Sequence, residues 1–343
     1  MIKLVDGGIT VEFPKDSNNI KGVIEYINEY NVRHISVVIR DRQGDVSDNY
    51  KSLYSLQFLN NIKTPENIIE FDLFSEFEDY SPIYKFVNLE KFSVSVGGEN
   101  IIDISKFVKL KKLQTHKLSP FSNLDKCFVK MLCYGNVTGR LDCETKRLQQ
   151  MIQLEDLRLF RIYNFSIESI CELKKLKKLW FTQCDLENLC SIQKLQALEF
   201  INVGHCNKFA DVNGVGELQK LKYLWFDTCP KLKDITDVGR SRNLRTLALE
   251  NIKIGDFSLL ENMSSKTSLK CLMLENCGNI GSIKFLEHYP SLQAFDCYNT
   301  NVLDGDIKPC LRLESARITN KRHYNMKSKQ LPFGRSFFQW FDD

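Results

Sequence analysis

The sequence predicts an α/β repeat solenoid: a curved stack with one parallel sheet on its concave side and short 3-10 or α turns on its convex side. Three observations predict it. From residue 154 onward a nine-residue block recurs eight times, with starts 21 to 25 residues apart. Within each block the apolar residues at positions 4 and 6 alternate, as a short strand with one buried face demands. Between blocks an apolar pair three residues apart recurs, a spacing that suits a short helical turn pressed onto the strand layer. A unit of this length cannot bury its apolar face alone, so the units must stack.

The elements follow in chain order. Residues 1–31 are expected to cap the stack, with a helical stretch from Asn19 to Tyr30. Such a cap is needed because a terminal repeat would otherwise expose core. Val32 to Val37 reads as an early strand, and the polar run 41–51 as an exposed insertion. Blocks starting at Ile68, Leu89 and Leu110 fit the pattern, and one at Val129 fits loosely. Regular blocks then start at Leu154, Leu176, Leu198, Leu221, Leu244, Leu269, Leu292 and Leu313. The intervening pairs are Ile167/Ile170, Leu189/Ile192, Val212/Val215, Ile235/Val238, Phe257/Leu260 and Ile283/Leu286. The solenoid therefore spans 32–320 with about 12–13 repeats, irregular before 154. Residues 321–343, rich in aromatics, are expected to cover the far end.

LKKLWFTQC at Leu176 and LKYLWFDTC at Leu221 carry the pattern L-x-x-L-x-L-x-x-N/C-x-L, with Cys184, Cys206, Cys229 and Cys277 at the N/C position. The chain thereby resembles the leucine-rich-repeat family. Repeats of about 22 residues resemble its phosphatase-regulator and internalin types, more than the longer ribonuclease-inhibitor type. The resemblance implies a horseshoe, and a position-9 side chain that hydrogen-bonds loop backbone.

Register assigns the outward face. Positions 1, 4 and 6 point in, while 3, 5, 7 and 8 point out. The outward residues run from mostly basic (Lys91, Lys112, His116, Lys117, Arg158, Arg161, with Glu70, Asp72 and Asp156 as exceptions) to aromatic and then acidic. The candidate partner-binding residues are Arg158, Phe160, Lys178, Trp180, Phe200, Asn202, Tyr223, Trp225, Asp227, Glu250, Glu275, Asp296 and Tyr298. Outward Trp and Tyr ringed by charge have the composition of a binding hot spot. The competing reading is that the rings pack on each other and shield the sheet.

No P-loop, dinucleotide fingerprint, H-E-x-x-H or G-x-S-x-G is present, so no catalytic residue, cofactor or metal is expected. The five histidines lie far apart in sequence. Cysteines about 22 residues apart do not match zinc-ligand spacing. A net charge of +4 is too mild to suggest nucleic acid. No signal peptide or membrane span is visible. Twelve scattered cysteines suit reduced thiols in a cytoplasm. The expectation is a protein-binding module, monomeric or in a heterocomplex. An immunity protein or inhibitor of a toxin or enzyme, a regulatory subunit and an assembly scaffold all fit. A nucleic-acid- or ligand-binding solenoid using the basic N-terminal wall is the alternative.

Overall fold

Alternating apolar positions in each block put two side chains per strand on one face, and a computed structural model shows these faces joined into parallel sheets. The structure describes residues 8–40, 53–99, 101–136, 139 and 141–334. The insertion expected at 41–51 and the aromatic tail beyond 334 lie outside the described residues. The chain divides into two compact units, Met1–Leu157 and Arg158–Asp343.

In the first unit, strands β1 (Gly8–Phe13), β2 (His34–Ile39), β3 (Glu70–Leu73), β4 (Lys91–Val94), β5 (Lys112–Thr115) and β6 (Met131–Gly135) pair in that order, all parallel. The loosely fitting block at Val129 therefore keeps register. Helix α1 (Ile20–Glu29) buries Val23, Ile24 and Ile27. Strand β1, which the sequence reading passed over, adds a strand ahead of β2.

Strand β7 (Asp156–Phe160) spans the boundary between the units. The second unit continues with β8 (Lys178–Thr182), β9 (Phe200–Gly204), β10 (Tyr223–Asp227), β11 (Thr246–Glu250), β12 (Cys271–Glu275), β13 (Ala294–Cys297) and β14 (Ser315–Ile318). Strands β8 to β14 pair in sequence order, parallel throughout. Block positions 3–7 form the strand through β12. The inward pairs Leu179/Phe181, Ile201/Val203, Leu224/Phe226 and Leu247/Leu249 are wholly buried. The recurring apolar pairs sit on or beside 3-10 turns, among them Ile167–Ile170, Ile192–Lys194, Val215–Glu217 and Thr236–Arg240.

Strands β7 to β13 each leave through a residue in the left-handed region: Arg161, Gln183, His205, Thr228, Asn251, Asn276 and Asn299 all have φ between 47° and 56°. This twist aims the position-8 N–H at the next repeat. The amides of Gln183, His205, Thr228 and Asn251 donate to the carbonyls of Gly204, Asp227, Glu250 and Glu275 at 2.8–3.0 Å. Asparagine tolerates this conformation, but β-branched Thr228 is strained there.

Past β14, Pro332 O accepts from the Ala316 N–H at 2.9 Å and lies along that strand's edge. Among the described residues, no helix is long and apolar enough to cross a membrane.

Candidate functional site

The open face of the second unit's sheet carries three outward rows, fixed by register. Strands in such a sheet lie about 4.8 Å apart, so outward neighbours must touch or repel. Lys178, Phe200 and Tyr223 stand opposite one another, as do Trp180, Asn202 and Trp225. A third row runs Thr182, Gly204, Asp227, Glu250, Glu275.

The aromatic residues form a ladder. The Arg158 guanidinium lies 4.8 Å from the Trp180 ring centroid. Trp180 stacks on Phe200 at 4.2 Å and 29°, and Phe200 meets Tyr223 at 6.3 Å and 37°. The structure corrects the expected exposure of three candidates: Phe200 is 7% exposed, Asn202 8% and Asp296 6%. The cause is lateral cover, since in-register neighbours shield whatever lies between them. Trp180, Tyr223 and Trp225 are half-buried, whereas Phe160, Lys178 and Tyr298 are exposed. The Trp180 Nε1 is buried with no hydrogen-bond acceptor among the described residues.

Gly204 interrupts the third row. The Asn202 Oδ1 and Asp227 Oδ2 lie 3.7 Å and 3.9 Å from where a Cβ would stand. Gly204 is itself buried, and a Cβ there would make ordinary van der Waals contact with both oxygens.

Beyond Gly204, Asp227, Glu250 and Glu275 occupy the same row on adjacent strands. Burial, and then the charges of Asp227 and Glu275, raise the Glu250 carboxyl above its ordinary range. The outer carboxylates have partners. His205 Nε2 lies 3.2 Å from Asp227 Oδ2. Arg317 pairs with Glu275 and, at 2.7 Å, with Asp296, and its guanidinium lies 4.7 Å from the Tyr298 ring centroid. Burial pushes the Asp296 carboxyl up against that pull. Glu250 has no ion pair among the described residues. The sequence reading missed Arg317, although position 5 of the block at Leu313 marks it.

The first unit's open face neutralises part of its own charge. Lys91 pairs with Glu70. His34 Nε2 lies 2.6 Å from Asp72 Oδ2, and Ser36 Oγ donates to the same oxygen at 2.7 Å. Sequence reading missed this cluster because its members come from strands 36 and 38 residues apart. It is not a nucleophile–base–acid relay: the nitrogen facing Ser36 at 3.3 Å is also the one on the carboxylate.

This pair sets a pH window. The hydrogen bond to Asp72 raises His34 against desolvation. Burial pushes the Asp72 carboxyl up, but hydrogen bonds from His34, Ser36 and Ser93 outweigh it and hold it below its ordinary value. A raised histidine stabilises fully below its ordinary value near 6.5 and loses that contribution as pH rises through the folded value. A lowered aspartate stabilises above 3.8 and loses it as pH falls. The pair therefore contributes most between roughly pH 4 and 6.5. His34→Gln should lower the melting temperature most near pH 5.5, for a loss on the order of 0.2–1 kcal/mol. An equal loss at pH 5.5 and pH 8.5 would show that the ion pair is not the cause.

The position-9 thiols do as the resemblance implied. Cys184, Cys229 and Cys277 donate to the Leu159, Val203 and Leu249 carbonyls of the preceding repeat at 3.3–3.5 Å. Burial pushes the Cys229 and Cys277 thiols up to about 12, so they remain protonated at neutral pH. Among the described residues no group of three or more His, Cys, Asp or Glu could hold a metal ion.

No protein-family profile matches the sequence, and no curated protein sequence matches it. Solved structures do. Internalin InlF from Listeria monocytogenes aligns over 94% of this chain and 95% of its own, at 15% identity and a TM-score of 0.59. Internalin C2 from the same organism covers 57% of this chain and 82% of its own, at 21% identity and a TM-score of 0.48. TLR13, solved in complex with ssRNA13, covers 84% of this chain and 49% of its own, at 13% identity and a TM-score of 0.49. The fold is that of the leucine-rich-repeat solenoids.

Proposed function

We propose that the protein binds another protein through the open face of its second unit, and that the partner presents a basic surface there. The observation that carries this reading is Glu250, a half-buried carboxylate held between two others with no ion pair of its own among the described residues; the charges of His205 and Arg317 reach it but do not outweigh burial and its two acidic neighbours. Three in-register carboxylates cost stability in the free chain, because like charges directly opposite one another repel. A partner's cation placed over the row would relieve that cost, and the half-buried Trp180 and Tyr223, held against the buried Phe200, supply rigid apolar contact. Arg158, Phe160, Lys178, Trp225 and Tyr298 complete the proposed surface, with the buried Asn202 and Asp296 packed between its residues.

Within this reading, an inhibitor or immunity protein that covers a basic toxin or enzyme domain is the form the charge pattern favours. A regulatory subunit or scaffold would use the same face. The twelve cysteines are all unbridged, which supports a reducing, cytoplasmic setting. A basic-wall reading directed at nucleic acid is less favoured, since Lys91 is already paired.

Capture from native lysate, read by mass spectrometry, tests the face. Wild type should retain a basic protein that Trp180→Ala/Trp225→Ala loses, with the variant's circular dichroism still native. Retention of the same protein at equal yield by the double variant would rule this face out.

A further inference from the structure

The turn leading into each strand differs between the two units. Two places before the block's first apolar residue, the first five repeats wholly within the second unit carry Lys174, Gln196, Gln219, Arg242 and Thr267. The last two carry Pro290 and Leu311. In the first unit the block at Ile68 has Glu66 at this place, the next ones hold Val87, Val108 and Ile152, and Phe128 stands one place nearer its strand. The four apolar residues Val87, Val108, Ile152 and Phe128 are 53%, 58%, 49% and 51% exposed, respectively. Folding does not require them to be apolar, since the core behind is already closed by buried Leu89, Leu110, Val129 and Leu154. Five repeats of the second unit fold with polar residues at this place, and only its last carries an exposed apolar one, Leu311, 48% exposed. Four exposed apolar side chains in consecutive repeats make a continuous stripe rather than scattered exposure, and such stripes mark interaction sites.

Val108 and Phe128 flank an open groove of about 550 Å³. Its rim carries four lysines, Lys109, Lys111, Lys126 and Lys130, against two carboxylates, Glu90 and Asp125. Lys111 and Lys130 are paired with Glu90 and Glu155, each at 3.0 Å. Lys109 donates to the neutral Asn88 Oδ1 at 2.7 Å. Lys126 has no ion pair among the described residues. With Asp125 set against Lys109 and Lys126, the rim keeps one positive charge in excess.

We propose that this edge of the first unit is a second docking surface, and that it takes an amphipathic helix of a protein partner with Asp or Glu beside its apolar stripe. Four positions at strand spacing extend about 14 Å. A helix covers that length in about nine residues, presenting anchors at i, i+4 and i+7. Val87, Val108, Phe128 and Ile152 supply the apolar contact, and Lys109 and Lys126 set the sign of the partner's flank. The inference is independent of the second unit's face.

The test uses the full chain and two synthetic helical peptides with the same leucine stripe, one flanked by Glu and one by Lys. In fluorescence anisotropy the acidic peptide should bind about tenfold or more tightly than the basic one. Val108→Asp/Phe128→Asp, which alters only exposed side chains, should lose that binding while keeping its melting transition. Equal binding of the two peptides, or an unaffected variant, overturns the proposal. So does either competing occupant: a dimer in sedimentation equilibrium that the variant abolishes, or binding to phosphatidylserine vesicles without peptide discrimination.

Discussion

Replacing Phe226 with alanine should lower stability by about 3–5 kcal/mol, the range for emptying a fully buried aromatic site. Phe226 is wholly buried at position 6 of β10, in register between Val203 and Leu249. Its ring packs on Phe209 with centroids 5.6 Å apart and planes at 40°. Neither neighbour can fill the space, because each is held by its own strand. A solenoid's stability is the sum of repeat and nearest-neighbour terms, and this ring contributes to the interfaces on both sides. Phe160→Ala, at the exposed position 7 of β7, is the matched control and should change stability by no more than about 0.5 kcal/mol. Urea unfolding followed by circular dichroism measures both. A loss below about 1 kcal/mol at Phe226 would mean that position 6 is not the core layer.

The strand layer was legible because burial of one face imposes the same alternation in every repeat. Leu179/Phe181 and Leu224/Phe226 obey it as plainly as the weaker Leu132/Tyr134. What register could not show is lateral. Whether an outward ring is exposed depends on a neighbour about 22 residues away. Phe200 faces outward by register yet is covered by Trp180 and Tyr223. The His34–Asp72 and Arg317–Glu275 pairs also join different repeats, and no local motif announces them. The left-handed exit at position 8 had a signal in Asn251, Asn276 and Asn299, but Arg161, Gln183, His205 and Thr228 masked it. The stripe from Val87 to Ile152 was hidden for a different reason: apolar residues on a turn look like core until their exposure is known.

Glu250→Lys should separate folding from binding. In the free chain the new cation would stand between Asp227 and Glu275, turning two like-charge contacts into two opposite-charge ones, each worth about 0.2–1 kcal/mol and offset in part by repulsion from Arg317, whose charge reaches this position. The sign at neutral pH follows from the raised Glu250 carboxyl. Its stabilising contribution is present below its ordinary value and lost as pH rises through the folded one, so the ionised side chain opposes folding. The variant should therefore melt higher than wild type at pH 7, with the gain shrinking as the carboxylates protonate near pH 4. Toward a basic partner the effect reverses. A cation buried against the partner's cations should cost about 2–5 kcal/mol, roughly thirtyfold to several thousandfold in affinity. Glu250→Gln should fall between, since it removes the repulsion without reversing the charge. Raised salt should weaken wild-type binding and partly restore the lysine variant, because screening acts on both signs. A variant that melts higher and has lost the partner would assign the row to recognition. One that melts lower, or captures the partner as well as wild type does, would make the three carboxylates a feature of the free fold and remove the argument for a basic partner.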